Sequence, residues 1–229
     1  MDSNLGPYIL GPTQDSHYGI YTGDAESLST AIPDQSIDLI ITDPPYTAQY
    51  LHLYNATGRI ASRVLKPTRF AFVYGGNEHE IAQLNYLNAH LTHFWTLILL
   101  HSGGNPRLWY KRIMSGYKPI YAFTNGTHPS DSPWICSVQR DVQDKRYHEW
   151  GQGIDFPKRI IDTFTDPGDV VLDLFCGGGM TPVACKQLGR RYLAFEIDAD
   201  TAQTARDRVA NAQDPLFIPE YKQVKMINV

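Results

Sequence analysis

Two short segments of the 229-residue chain hold residue types that could do chemistry, and the first is Asp43-Pro44-Pro45-Tyr46. Two successive prolines fix the backbone and remove two N–H donors, which leaves rigid carbonyl oxygens pointing outward as acceptors. A carboxylate and a carbonyl side by side accept the two hydrogens of an amine, while an aromatic face stacks on the flat group that carries it. The tetrapeptide reads as a cradle for a planar molecule bearing an amine. Its plainer reading is a rigid turn that ends a strand and exposes a tyrosine.

The second segment is the run from Asp173 to Thr181, in which Phe175 and Cys176 precede Gly177, Gly178 and Gly179. Glycines between a strand and a helix allow a tight turn and close approach of a ligand to the backbone, and the helix start offers free N–H groups. Such a loop suits a dinucleotide as well as another nucleoside cofactor. No Lys-Ser/Thr follows the glycines, which disfavours a Walker-type phosphate site. Glu196 lies about twenty residues further on, at the spacing where a carboxylate can accept both hydroxyls of a ribose. A solvated acid at a strand end is the alternative.

Elements must hold these segments in place. Strand-like runs occur at Gly19 to Thr22, Ile37 to Thr42, Phe70 to Tyr74, Phe94 to Leu100, Pro119 to Thr124, Asp169 to Leu174 and Tyr192 to Ile197. Helix-like stretches lie between several of them: Ala25 to Ala31, Tyr50 to Leu65, Glu78 to His90, Phe156 to Phe164, Thr181 to Leu188 and Asp200 to Ala212. Alternation of the two kinds predicts an α/β, doubly wound, mostly parallel sheet of seven strands covered on both faces. The runs at Ile37 and Val170 are too apolar for half-exposed strands, so both belong in the middle of the sheet. Ligands of such sheets sit at the carboxyl ends of the central strands, where both chemical segments fall.

Composition sets limits on this reading. The chain is 42% hydrophobic and 19% charged, with a formal net charge of −4. That excludes disorder, collagen and coiled coil. No apolar run approaches the length of a membrane span, no signal peptide is expected, and the three cysteines form no CxxC pair. A cytoplasmic protein without membrane or metal is the expectation. Residues 103 to 160 carry nine basic and five acidic side chains, a local excess of 9 − 5 = +4 that could face a polyanion or simply be solvated.

Asp43-Pro44-Pro45-Tyr46 followed much later by Phe175-x-Gly177-x-Gly179 resembles the amino-methyltransferases of DNA, and the order of the two elements is similar to the circularly permuted beta group of that family. The likeness takes in most of residues 19 to 208, including Ile20 to Asp24 and Arg63-Val64-Leu65-Lys66-Pro67. It implies a Rossmann-like fold, S-adenosyl-L-methionine as cofactor, DNA as partner, and methylation of an exocyclic amine. Asp43 and the Pro44 carbonyl would then accept from the target amine, Pro45 would stiffen the loop, and Tyr46 would stack on a base flipped out of the duplex. Phe175, Cys176, Gly177, Gly179 and Thr181 would line the cofactor pocket with Asp43; Asp173 would lie near the methionine part, Glu196 would hold the ribose, and Asp24 would lie close to the adenine. The family's HPTQKP element aligns with His148 to Gly153, sharing only the His, and Gln152 is the substitute for its carboxylate-binding residues. No cysteine follows a proline, which disfavours methylation at cytosine C5.

The irregular stretch within residues 102–153 is the place expected for DNA recognition inside a single domain spanning 1–229. Arg107, Trp109, Lys111, Arg112 and Lys118 mix cations with aromatics, as phosphate and base contacts require. Arg140, Lys145, Arg146 and His148 repeat the pattern more weakly. Thr47 to Gly58, with Gln49 and Tyr50, is expected to form a loop that closes over the base, with ordinary helix as the rival. A tract this short predicts a loose recognition sequence or a second subunit, such as a homodimer, to embrace the duplex. N6-methyladenine in DNA is the expected product; N4-methylcytosine, an RNA amine, or a silent cofactor- or DNA-binding subunit are the alternatives.

Overall fold

A computed structural model describes residues 19–101, 107–141 and 153–212. The chain runs β1 (Gly19–Thr22), α1 (Ala25–Ser29), β2 (Ile37–Thr42), α2 (His52–Val64), β3 (Leu65–Tyr74), α3 (Glu80–Asn88), β4 (Thr92–His101), β5 (Arg107–Leu108), β6 (Ile113–Met114), β7 (Lys118–Thr124), β8 (Val138–Asp141), α4 (Asp155–Phe164), β9 (Val170–Asp173), α5 (Met180–Gln187), β10 (Arg191–Glu196) and α6 (Ala199–Asn211). One sheet has the order β1-β10-β9-β2-β3-β7-β4-β8, and β5 pairs with β6 as a separate hairpin. Five of its neighbour pairs are parallel; among the described strands β7 alone runs against its two neighbours, β3 and β4.

The expected α/β sheet therefore forms, with β9 and β2 adjacent in its interior. It has eight strands rather than the expected seven. The additional strand, β8, adds to the β4 edge; its Val-Gln-Arg-Asp sequence has one exposed side of the kind that sequence pattern reads as loop.

Alternation across β2 builds both layers. Ile40 enters one core with Ile60, Val64, Leu172 and Phe195, beneath α1 to α3, and Ile37 joins it because the register of β2 against β3 shifts between Ile37 and Leu39. Leu39 and Ile41 enter the other with Phe72, Phe156, Ile160 and Cys185, beneath α4 and α5. All six residues of β2 and all four of β9 are buried, as central parallel strands require. The one charge inside β2, Asp38, is matched by Lys66 Nζ at 2.6 Å and by the Val170 N–H at 3.0 Å, so it ties β2 to β9.

Candidate active site

Asp43 leaves the carboxyl end of β2, followed by a buried Pro44, an exposed Pro45 and a half-buried Tyr46. Lys118 holds the Asp43 carboxylate: its Nζ donates to Oδ1 at 2.9 Å and to Oδ2 at 2.8 Å. Only 10% of the Lys118 side chain and 17% of the Asp43 side chain are exposed. The reversed direction of β7 explains this placement. Because β7 is antiparallel to β3, its first residue arrives at the end where β3 finishes, and the Gly75 N–H donates to the Pro119 carbonyl there at 2.9 Å. The ammonium also lies 5.1 Å from the Tyr46 ring centre and 5.0 Å from that of Tyr74.

Tyr46 is seated by a glycine. A Cβ added at Gly76 would stand 2.7 Å from Cδ2 of Tyr46, and one at Gly75 would stand 2.3 Å from Cε2 of Tyr121. Gln83 fixes that turn, accepting at Oε1 from the Gly76 N–H at 3.0 Å and from the Tyr121 hydroxyl at 2.8 Å. Burial, helped by the charge of Asp43, raises the Tyr46 hydroxyl above its ordinary value, so the ring stays neutral.

The second segment lies beside the first, since the Leu174 N–H donates to Thr42 Oγ1 at 3.1 Å across the strand ends. Asp173 is buried, and burial pushes its carboxyl up to about 7 against the pull of the Thr181 hydroxyl, the Phe175 N–H and Thr42, with Asp43 adding a further rise. Its Oδ1 accepts from the Phe175 N–H at 3.1 Å. Its Oδ2 and Thr181 Oγ1 lack a well-formed hydrogen bond among the described residues. Such buried polar atoms suit a bound polar group.

Gly179, at φ 78°, caps α5 in the left-handed region, and a Cβ there would meet Ala205 Cβ at 3.0 Å. Gly177, at φ 47°, faces open space, with nothing within 4 Å of an added Cβ. Glu196 ends β10 and accepts from the Gly177 N–H at 2.9 Å and the Asp198 N–H at 3.0 Å. Each of its oxygens keeps a lone pair for a hydroxyl. Phe175 is half-buried and Cys176 buried; burial, then the charges of Asp173 and Glu196, raises the Cys176 thiol, which suits a wall residue rather than a nucleophile. Asp24 follows β1, whose Thr22 pairs with Glu196, and caps α1 by accepting from the Ser27 N–H at 2.8 Å. An open glycine backbone, a ribose-type acid and a buried carboxyl fit a nucleoside cofactor that carries cationic groups.

The expected DNA contacts divide. Arg107, Trp109, Lys111 and Arg112 all lie on the β5–β6 hairpin and are exposed, with Arg107 over the Trp109 ring at 5.5 Å. Tyr110, Ile113 and Met114 are exposed beside them, and the Tyr110 hydroxyl donates to Glu78. Lys118, by contrast, turns inward to Asp43 and is not a surface cation. Gln49 and Tyr50 lie exposed on a short 3-10 turn, Ala48–Tyr50. The loop expected over Thr47 to Gly58 is helical from His52 onward, because Tyr54, Ala56, Thr57 and Ile60 bury one face against the sheet. Arg140 is exposed on β8. Gln152, Lys145, Arg146 and His148 lie outside the described residues.

Sequence reasoning missed the place of Lys118 at the carboxyl end of β2, against Asp43, and the seat formed by Gly76, Gln83 and Tyr121. Nothing local marks them, since each acts on a residue far away in the chain.

The DNA methylase family model matches residues 109–207. The type II methyltransferase M.BglII of Bacillus subtilis is 24% identical over 256 residues, covering 85% of this chain and 69% of that protein. Among solved structures, TTHA0409 of Thermus thermophilus, determined with S-adenosyl-L-methionine, superposes with a TM-score of 0.70 at 22% identity over 87% of this chain and 96% of its own. The PvuII DNA methyltransferase, cytosine-N4-specific, superposes with a TM-score of 0.73 at 16% identity over 86% and 94%. The fold is thus the Rossmann-like one of these enzymes.

Proposed function

From a chain whose residues 109–207 match the DNA methylase family, we infer an S-adenosylmethionine-dependent DNA amino-methyltransferase that acts on the N6 amine of adenine. The observation that carries the reading is the juxtaposition of Asp43 and Tyr46 with the Gly177 loop, the two strand ends joined through Thr42 Oγ1 and the Leu174 N–H. When bound, S-adenosylmethionine supplies a methyl group on a positively charged sulfur. Glu196 would hold its ribose, and Asp173 with the Gly177 backbone would receive its charged part.

An aromatic amine is a poor nucleophile because its lone pair is shared with the ring. Asp43 and the Pro44 carbonyl accept its two hydrogens and so favour a pyramidal nitrogen whose lone pair points away from the ring. Tyr46 stacks on the base once it has left the duplex, and positioning supplies much of the rate. The β5–β6 hairpin, with its exposed cations and Trp109, faces the backbone and the bases. The permuted order of elements, one domain over 1–229 and a homodimer belong to the same proposal.

The test is incubation with labelled S-adenosylmethionine and unmethylated duplex DNA, beside RNA and single-strand controls, then nucleoside digestion and mass spectrometry. N6-methyladenine from DNA is expected. N4-methylcytosine would move the target base, and intact cofactor binding without any methylated nucleoside would overturn the reading.

A further inference from the structure

We propose that Lys118 is a substrate-reading residue, whose third N–H donates to the ring nitrogen next to the target amine while Asp43 accepts from the amine itself. The inference rests on the amino-methyltransferase reading and deepens it. Lys118 Nζ reaches both Asp43 oxygens at 2.9 and 2.8 Å and lies about equally far from the Tyr46 and Tyr74 rings, at 5.1 and 5.0 Å. An ammonium has three donors; two are used on Asp43, and among the described residues the third has no hydrogen-bond partner. A carboxylate offers about four lone-pair sites, so Asp43 can accept from an amine without releasing the lysine.

Side by side, the pair presents an acceptor and a donor at the place where Tyr46 would stack a base. The complementary edge is an amine beside an unprotonated ring nitrogen. Adenine offers it at N6 and N1, and cytosine at N4 and N3. Thymine and the O6 edge of guanine offer a carbonyl beside an N–H, which puts donor against donor and acceptor against acceptor. The pair therefore explains admission of amine-bearing bases and refusal of the others by chemistry rather than size. A phosphate contact is the wrong role for this lysine, since only 10% of its side chain is exposed.

Single-turnover methyl transfer into duplexes carrying adenine or 1-deazaadenine at the methylated position tests this, or cytosine against 3-deazacytosine if cytosine is the target. Replacing the ring nitrogen by C–H removes the acceptor and makes the ring more electron-rich, so the intrinsic effect runs toward faster transfer. Wild type should nevertheless be slowed about tenfold to a hundredfold by the deaza base, the loss expected for a hydrogen bond from a charged donor. Lys118→Met, slower on both, should distinguish the two bases by less than about threefold, as a thermodynamic cycle on one contact requires. Equal rates of the wild type on both bases overturn the proposal without recourse to any variant. So does a Lys118→Met enzyme as selective as wild type. Absence of transfer from wild type to every normal base overturns the functional reading first, and this inference with it.

Discussion

Asp173→Asn should stabilise the ligand-free protein at alkaline pH while weakening its hold on the cofactor. Burial raises this carboxyl from 3.8 to about 7, and the nearby charge of Asp43 acts in the same direction. Between those two values the folded chain keeps a proton that the unfolded chain has released. Stability from this group is thus complete below about 3.8 and is lost as the pH climbs through about 7. One pH interval is worth about 1.4 kcal/mol, so the whole span from 3.8 to about 7 amounts to about 4 kcal/mol at most. Asparagine keeps an acceptor for the Phe175 N–H, now at 3.1 Å, and carries no charge at any pH. In urea unfolding at about pH 5 and about pH 8, the variant should gain about 3 kcal/mol on wild type between the two conditions. A cationic cofactor favours the ionised form, so its binding to wild type at neutral pH should release a proton, which calorimetry in two buffers of different ionisation enthalpy would reveal. A stability difference between variant and wild type that stays constant across this range would refute the argument, because the only pH-dependent member of the comparison is the Asp173 carboxyl.

Four further outcomes are expected. Asp43→Ala should abolish methyl transfer, read by label incorporation, while leaving cofactor affinity within about threefold, because its carboxylate serves the amine; loss of both in a folded protein would contradict that division. Gly76→Ala, whose Cβ would stand 2.7 Å from Tyr46, should fold with a loss of about 1–3 kcal/mol and transfer methyl groups at least about tenfold more slowly, and an unaltered rate would show that the seat of Tyr46 is not critical. Tyr46→Ala should cost more activity than Tyr46→Phe, since the stacking face is what is lost; equal losses would point to the hydroxyl. Lys111→Ala on the hairpin should leave thermal unfolding unchanged and lower the slope of log DNA affinity against log salt by about one, whereas an unchanged slope would remove Lys111 from the DNA interface.

The fold was legible because its signals are local. Ile37 to Thr42, apolar but for Asp38 and the final Thr42, and the wholly apolar Val170 to Leu172 announce buried strands, and each ends at a chemical segment. The six helix-like stretches correspond to α1 to α6 within a few residues at each end. What stayed hidden depends on pairing at a distance. Lys118 reads as one more cation in a basic tract, and its inward course follows only once β7 is known to run antiparallel to β3. The helix-like stretch Tyr50 to Leu65 matches α2, and the competing loop over Thr47 to Gly58, which rests on its place next to Tyr46, gives way because Tyr54 and Ile60 are buried. The eighth strand escaped because four half-exposed residues gain strand pairing only from the edge of β4.

Asp43, Asp173 and Glu196 stand at the carboxyl ends of the adjacent strands β2, β9 and β10, and on the proposed function a protein with a net charge of −4 would bring a polyanion to that end of the sheet. Left bare, they would repel the phosphates of the strand from which a base is drawn. The structure deals with each differently. Asp43 is matched by the Lys118 ammonium, Asp173 is held near neutrality by burial, and Glu196 is engaged by two backbone N–H groups. The differences follow the proposed tasks. A carboxylate that must accept from a neutral amine is paired with a lysine, whose ammonium offsets its charge toward DNA while leaving it lone pairs for the amine. One that faces a cation can remain protonated until the cation arrives, so its ionisation is coupled to cofactor binding. One that holds hydroxyls needs orientation more than charge, which backbone donors supply. Uncharging Lys118 should therefore weaken DNA binding even though the side chain touches no phosphate. That effect would be seen as a lower affinity of Lys118→Met for duplex at low salt, with the gap to wild type narrowing as added salt screens the uncovered carboxylate; an affinity equal to wild type at low salt would refute it.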